Sequence, residues 1–535
     1  MKIPQSVGTI LRDHVTLELE CLDRLYLNVY VPQLQYAGGV AAFLKHRRGA
    51  IVVSTALVKP MTEGFGAAIK AFATQQGIPL VQFRKGQRKD DVAKEYLARF
   101  TGTEGVLFIG VAQEKARLPR TESRRHAESG VRYPWVVETT GYVNYYYLYA
   151  VDAEVGPFFL KLCSYFPYNG KLCLNGHEYL KRQLAKEGIA FAALDNGILR
   201  CADSARLQAL ADGFDAAVID AVLRRWLARL PHPFTAADRA AGYRYALSLL
   251  QVECSLTQVL DRPVQGRLLF EHIIRENLDL GRPSQVQLIF DRRVSRRTPG
   301  RFRTRVITER VTPSLHVDYK HSRIKQYHKE GQALRTETTI NDPADFALRK
   351  GLQHLPALRA RGFAANRRLL DVECLSQDCC VGEETIERVT RPQVVDGQRV
   401  AALPLLQPSA QALFQALVLF ALQPAGFANK DLRPLLAQLL GLVPSTLSPG
   451  QMTYHLRRLR LHGLITRLPH THRYQVTTQG LRLALFCTRL QARVLRPGLT
   501  AILPAAATTD TILRPAFEHL ERAIDQFLEH ARLAA

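Results

Sequence analysis

IKQYHKEGQALRTETTI, residues 324–340, alternates in character along its first half, breaks at Glu330-Gly331-Gln332, and alternates again. Two runs of period two about a glycine-bearing turn predict a β-hairpin. With His328 opposite Leu334, one face carries Lys325, Tyr327, Lys329, Arg335 and Glu337. The other face then carries Ile324, Gln326, His328, Leu334, Thr336, Thr338 and Ile340, whose apolar ends suit packing on a core. A slip of one residue would exchange the two faces.

The hairpin closes a basic block. From Asp291 to Lys329, twelve Lys or Arg stand against three Asp or Glu, a net +9 out of +24 for all 535 residues. Arg301, Arg303, Arg305, Lys320 and Arg323 are its candidate phosphate contacts. A polyanionic partner gains from such a block because each neutralised phosphate releases a counterion. Nucleic acid is therefore the expected partner, DNA ahead of RNA, and the oligomeric state is left open. No long basic amphipathic helix with aromatic anchors recommends a membrane surface. No apolar run reaches the roughly 18 residues needed to span a bilayer, and the N-terminus is too polar for a secretory signal. The nine scattered cysteines form no disulfide framework, so the chain reads as a cytoplasmic protein with reduced thiols.

Around the block, periodicity divides the chain into a multidomain α+β and α/β protein. Residues 1–48 read as an N-terminal helical segment, with Leu11, Val15, Leu19, Leu22 and Tyr26 at helical spacing. Residues 49–132 read as an α/β unit in which AIVVSTALV, IPLVQF and GVLFIGV are strands of a parallel sheet. Its loops hold no GxxxxGK[ST] and no GxGxxG, so no nucleotide cofactor is expected. Residues 133–202 form an aromatic antiparallel region with a helix capped by Asn175. Twelve of the 44 aromatics lie between Tyr133 and Tyr168. Such a face could stack unpaired bases, although an aromatic core accounts for it more simply.

Residues 203–282 read as helical scaffold, with a capping box at Thr235 and Asp238 opening a helix through Tyr243, Leu247 and Leu250. A strand, QVQLIF, then enters the region 283–375, which holds the hairpin and a helical pair. Residues 376–408 read as a linker, with Cys374, Cys379 and Cys380 at no recognised zinc spacing. Residues 409–495 show three helical segments and two short extended runs around Pro469-His470-Thr471-His472, and 496–535 a C-terminal helix.

Two resemblances add expectations. YHLRRLRLHGLITR…HRYQVTTQG, within about 90 residues, resembles a winged-helix domain, a family in which the third helix enters the major groove and the wing touches the backbone. Tyr454, Arg457, Arg458, Arg460, Arg467 and Arg473 are the contacts that this resemblance implies. YHKEGQALRTETTI, over about 15 residues, is distantly similar to the YDK…LR-E hairpin of plasmid and phage replication initiators. That likeness implies a DNA nicking or strand-transfer enzyme of mobile-element type. Tyr327 would be the nucleophile, assisted by Lys325, Lys329, Arg335 and Glu337, with Mg²⁺ or Mn²⁺ held by His316, Asp318 and Glu337. A lysine beside the tyrosine would lower the phenol's pKa. The hairpin departs from the initiator pattern at His328, where Asp is usual, and lacks a His-hydrophobic-His pair. Most of the chain, with SYFPYNGKLCLNGHEY and LRTETTIND, also resembles long uncharacterised bacterial proteins ending in a winged helix. A non-enzymatic winged-helix regulator and a protein binding structured RNA are the alternatives.

Overall fold

The computed structural model describes residues 7–262, 304–307, 314–377, 382–420 and 426–491 except 85 and 396, together with 270, 495, 519, 522 and 523. Several sequence expectations lie outside the described residues: Arg301 and Arg303, QVQLIF, Cys379-Cys380, and most of the C-terminal helix. The fold is mixed α/β, and the chain divides into two compact units. One comprises His14–Glu271 and Pro299–Arg367; the other comprises Met1–Asp13, His272–Thr298 and Arg368–Ala535.

The first unit is built on β1 (Val15–Tyr30), β2 (Leu80–Gln82), β3 (Gly105–Arg125), β4 (Arg132–Asp152), β5 (Gly156–Cys163) and β6 (Gly170–Asn175). A small hairpin follows, β7 (Phe191–Leu194) with β8 (Gly197–Cys201), then β9 (Ala246–Leu260), β10 (Thr304–Ile307), β11 (Ser314–Tyr319), β12 (Ser322–Lys329) and β13 (Ala333–Ile340). Eleven of these make one sheet in the order β10-β11-β12-β13-β9-β1-β6-β5-β4-β3-β2. It draws strands from all five segments between residues 1 and 375, so the boundaries placed there from sequence cut through a single sheet.

The hairpin has the expected register: His328 lies opposite Leu334, Tyr327 opposite Arg335 and Lys325 opposite Glu337. Gln332 N–H closes the turn on the Lys329 carbonyl at 3.0 Å. Glu330 and Gly331 both take positive φ, 50° and 70°, the backbone that matches the right-handed twist of the flanking strands.

Three elements differ from expectation. Residues 15–30 are a strand instead of a continuation of the helix Val7–His14. A bulge between Leu22 and Leu25 shifts the register against β9: Leu17, Leu19 and Cys21 pack with Leu180 and Val259, whereas Leu22, Leu25, Leu27 and Val29, also buried, stand opposite Cys254, Val252, Leu249 and Leu247. Merging two strand phases in this way imitates helical spacing. AIVVSTALV is not a strand; Ile51 is fully exposed and Thr55–Leu57 is a 3-10 turn. Parallel pairing is confined to β2 with β3 among the described strands. The Thr235 capping box forms, but its helix stops at Ala240. Gly242, at φ 93°, turns the chain in a conformation that only glycine adopts without strain, and Leu247 and Leu250 lie on β9.

Cross-strand partners share a face, and the two faces of the sheet differ. One carries Leu22, Leu27, Val29, Leu148, Leu160, Leu172, Cys254, Leu256, Val317, Ile324 and Ile340, all buried. Helices cover it: Phe65 packs edge-on to Tyr146, Trp226 on Phe158, and Asn366 donates to the Cys254 carbonyl at 2.9 Å. Gly362 brings the helix Leu355–Gln377 so close that an added Cβ would lie 2.4 Å from the Cys254 sulfur. Gly362→Ala is expected to cost about 1–3 kcal/mol by overpacking. Gly64→Ala, at a helical site open to solvent, should instead gain up to about 1 kcal/mol. Opposite shifts in thermal midpoint would establish the close approach.

The second face is covered only in part. Phe83, Val92 and Tyr96 pack on Phe108, Tyr147 and Tyr149 toward one side. Leu180, Leu184, Leu207 and Leu210 pack on Leu17, Leu19, Val259 and Ala333 toward the other. Between them Tyr26, Asn28, Lys171, Cys173, Gln251, Glu253, Lys325, Tyr327 and Glu337 are half-buried, and Arg24 and Arg323 exposed.

In the second unit, helices Pro408–Phe420, Asn429–Leu440 and Pro449–Leu461 precede antiparallel strands Ile465–Arg467 and Tyr474–Val476 and the helix Thr478–Leu490. Phe414, Phe427, Leu432, Met452, Leu456, Leu464 and Leu483 share one core. Residues 376–408 are not simply a linker: Glu383–Thr390 is a helix, Gln393–Val395 pairs with Gln398–Val400, and Val389 and Leu403 enter that core. Among the described residues, no helix is long and apolar enough to cross a membrane.

Candidate nucleic-acid interface

The half-open face places the expected hairpin residues side by side. Register puts Ser314, Tyr327, Arg335 and Thr257 in one row, and His316, Lys325, Glu337 and Ser255 in the next. Asp318 lies opposite Arg323.

Arg335 is the centre of this arrangement, and it is fully buried. Its guanidinium donates to Asp23 Oδ2 and to the Asn196 carbonyl, each at 2.7 Å, and to His177 Nε2, while its Nε lies 3.2 Å from Glu337 Oε1. Burial alone would lower the Arg335 pKa, but Asp23 and Glu337 outweigh it and hold the cation. Burial would likewise raise Asp23, yet the guanidinium keeps its carboxylate below the usual range. His177 is pushed down to about 3 by burial and by Arg335. Its Nε2 accepts from Arg335, which leaves the proton on Nδ1, an atom with no hydrogen-bond partner among the described residues.

Tyr327 does not have the environment of a nucleophile. Its hydroxyl donates to Glu337 Oε1 at 2.9 Å, and burial, reinforced by Glu337, raises its pKa. Lys325 stands over the ring, 4.2 Å from the centroid, so it adds a cation–π contact and does not offset the acidic neighbour. Lys329 pairs with Glu330 at 3.2 Å at the turn.

The expected cation ligands do not converge either. Lys325 separates His316 from Glu337 across the sheet, which places them two strand spacings, about 9–10 Å, apart. His316 Nε2 lies 2.9 Å from Ser314 Oγ, and Glu337 is engaged by Tyr327 and Arg335. Among the described residues, no three His, Cys, Asp or Glu side chains group as a metal site. His316 and Glu337 are therefore not brought together in this arrangement.

Farther along the same face, sequence reasoning missed a second polar cluster. Glu114 accepts from Lys89 at 2.6 Å, from Lys161 and from Tyr147. Burial would raise it, but these donors hold it at about 2. Lys161 and Lys171 lie opposite one another on β5 and β6. Lys171 lines a cleft of about 300 Å³ with Asn28, Gln35, Tyr145, Asn169 and Ser248. Lys171 is half-buried, while Lys161 is buried over the Tyr145 ring, 4.0 Å from its centroid. The signal in sequence was Lys161 and Lys171, each flanked by apolar residues.

In the second unit, Ser448 and Gln451 form a capping box that fixes the start of the helix Pro449–Leu461. Met452, Leu456 and Leu459 face the core, leaving Tyr454, Arg457 and Arg460 toward the other side. Tyr454 is 49% exposed and Arg460 is exposed; Arg457 donates to Gln398 at 3.2 Å. Arg458 instead donates to the Ala401 carbonyl, and Arg473 to the Gly426 carbonyl with Asp431 3.9 Å away. These two arginines brace the unit from within. Exposed Arg467 spans the turn between the strands, donating to the Thr471 carbonyl at 2.7 Å. Arg323 is exposed in the first unit, and Lys320 is half-buried over the Tyr319 ring. The side chain of Arg305 lies outside the described residues.

The buried histidine makes stability pH-dependent. A histidine near 6.5 when unfolded and about 3 when folded binds more protons in the unfolded state between those values. Stability should therefore be full above about pH 6.5 and fall toward pH 3, with this group's share approaching about 1.4 kcal/mol per pH unit. Urea unfolding at stepped pH checks this, and His177→Asn should flatten the slope; the depressed carboxyl of Asp23 adds a loss at still lower pH.

No family model, no curated protein and no solved structure matches the chain.

Proposed function

We propose that the protein binds nucleic acid, duplex DNA in preference to RNA, through the outward edge of the helix Pro449–Leu461 and the adjacent strand pair. The observation that carries this reading is the row Tyr454, Arg457 and Arg460 on a capped helix anchored by three core residues, with Arg467 on the neighbouring strand. A rigid helix of 13 residues bearing cations and one aromatic suits a major groove about 12 Å wide. Its likeness to a winged helix, with the third helix as the reading element and the strand pair as wing, supports the same assignment. Net +24 supplies the long-range attraction.

In the first unit Tyr327, half-buried, donates its hydroxyl to Glu337, and the proposal is confined to binding. The test is fluorescence anisotropy of labelled duplex against increasing salt. Affinity should fall steeply and linearly on a log–log plot. A flat salt response, or a preference for folded RNA over duplex DNA, would overturn the proposal.

A further inference from the structure

Strands β3 and β4 reach well beyond the sheet they belong to. Past Val111 and Tyr145 neither is paired with another strand among the described residues. From Gln113 opposite Asn144 to Arg125 opposite Arg132 they pair only with each other, over thirteen consecutive positions, a ribbon of about 40 Å. Its middle is braced: Val136 is buried, Leu118 and Val137 line a pocket with Tyr36 and Val40, and Thr55 N donates to Thr121 Oγ1 at 2.8 Å and Thr121 N to Thr55 Oγ1 at 3.0 Å. The tip beyond that clasp is exposed on every side chain from Glu122 to Trp135.

The tip combines features costly for a surface with no partner. Trp135 is 46% exposed and Tyr133 36%; their rings lie 6.3 Å apart on one face, and Arg124 stands 5.2 Å over the indole. Arg125 and Arg132 are direct cross-strand partners, a like-charge juxtaposition that destabilises a ribbon left by itself. Between residues 120 and 135, four arginines face two glutamates. An anion between Arg125 and Arg132 relieves their repulsion on one face of the ribbon, and flat apolar rings cover the exposed tyrosine and tryptophan on the other, where Arg124 also stands. A strand of nucleic acid with unpaired bases supplies both, phosphate to the arginines and a π-face to the aromatics.

We propose that the β3–β4 ribbon is a single-strand-binding arm, with Tyr133 and Trp135 stacking unpaired bases, Arg124 holding a phosphate on their face, and Arg125 with Arg132 drawing the backbone from the other face. This contact is separate from the helix Pro449–Leu461 and does not depend on that helix binding duplex. The tyrosines read from sequence as a possible stacking face are thus divided. Tyr146, Tyr147 and Tyr149 are core, while Tyr142 and the tip residues Tyr133 and Trp135 are exposed.

The chain holds two tryptophans, and Trp226 is only 3% exposed, so quenching by a strand reports on Trp135. The full-length protein would be titrated with oligothymidylate and oligouridylate of about twenty nucleotides, enough to fill one or two single-strand sites, and with a duplex of equal length. The expected result is quenching by one or both single strands, lost in Trp135→Phe. Tyr133→Ala with Trp135→Ala should weaken single-strand binding roughly tenfold or more and leave duplex affinity and thermal midpoint unchanged. Arg125→Gln with Arg132→Gln should flatten its salt dependence. The arm is overturned if neither single strand quenches, if quenching survives in Trp135→Phe, or if the double aromatic variant binds as wild type. Failure of duplex binding alone would count against the helix and leave the ribbon's result intact.

Discussion

Arg335→Met is expected to destabilise the first unit by about 3–5 kcal/mol, and adding Asp23→Asn should restore a measurable part of that loss. The single change leaves Asp23, 4% exposed, and Glu337, 17% exposed, without the cation that compensates them. Removing one member of a buried ion pair costs this much because the surviving charge stays desolvated. It also leaves the Asn196 carbonyl without this donor, a loss of about 1–3 kcal/mol when nothing replaces it, while His177 Nε2 keeps Ser255 Oγ at 3.1 Å. Asp23→Asn neutralises the closest stranded charge, and Asn196 Nδ2, which donates to Asp23 at 2.7 Å, can still donate to the new amide. Chemical denaturation of the four members of this cycle gives the coupling directly. Arg335→Lys should rescue poorly, since one ammonium cannot reproduce a fork that reaches two acceptors and a histidine. A loss below about 1 kcal/mol for Arg335→Met would mean that the site is wetter than its burial indicates.

That network also shows what the chain's linear order reveals and what it hides. The hairpin was legible because its information is local: alternation, a glycine-bearing turn and one register that sends apolar ends inward. Arg335 was legible as a facing neighbour of Tyr327, but its role was not. Its main partner Asp23 lies 312 residues away and enters through the β1 bulge, and His177 and Asn196 come from a helix start and a turn between them. Expected to assist Tyr327, Arg335 is instead a buried cation that ties β13 to β1, to the start of the helix Gly176–Lys186 and to the turn between β7 and β8. The same locality explains the error at β1, where the bulge moved the apolar phase by one residue and a strand took on helical spacing. In the second unit the order of helices and strands followed from periodicity and capping signals. Which arginines face outward was not readable there, because Arg457 and Arg458 are adjacent in sequence and differ only in whether a carbonyl at Ala401 lies within reach.

Arg457→Ala with Arg460→Ala is expected to reduce the slope of log affinity against log salt for duplex DNA by about 2, one for each phosphate no longer neutralised. Affinity at moderate salt should fall by one to two orders of magnitude if each contact contributes about 1 kcal/mol. Both side chains lie outside the core that Met452, Leu456 and Leu459 anchor, and alanine favours the helix, so the thermal midpoint should hold. Two comparisons separate recognition from charge. Arg458→Ala removes a cation of the same helix whose guanidinium donates to the Ala401 carbonyl; it should cost stability and change the salt slope less than Arg457→Ala or Arg460→Ala does. Tyr454→Ala removes no charge, so it should leave the slope alone while altering preference among duplex sequences, provided its half-exposed ring meets base edges in the groove. An unchanged slope in the double arginine variant would place duplex binding elsewhere in the chain. A slope reduced equally by all three arginines would leave only diffuse attraction by a basic surface, with no face of the helix preferred.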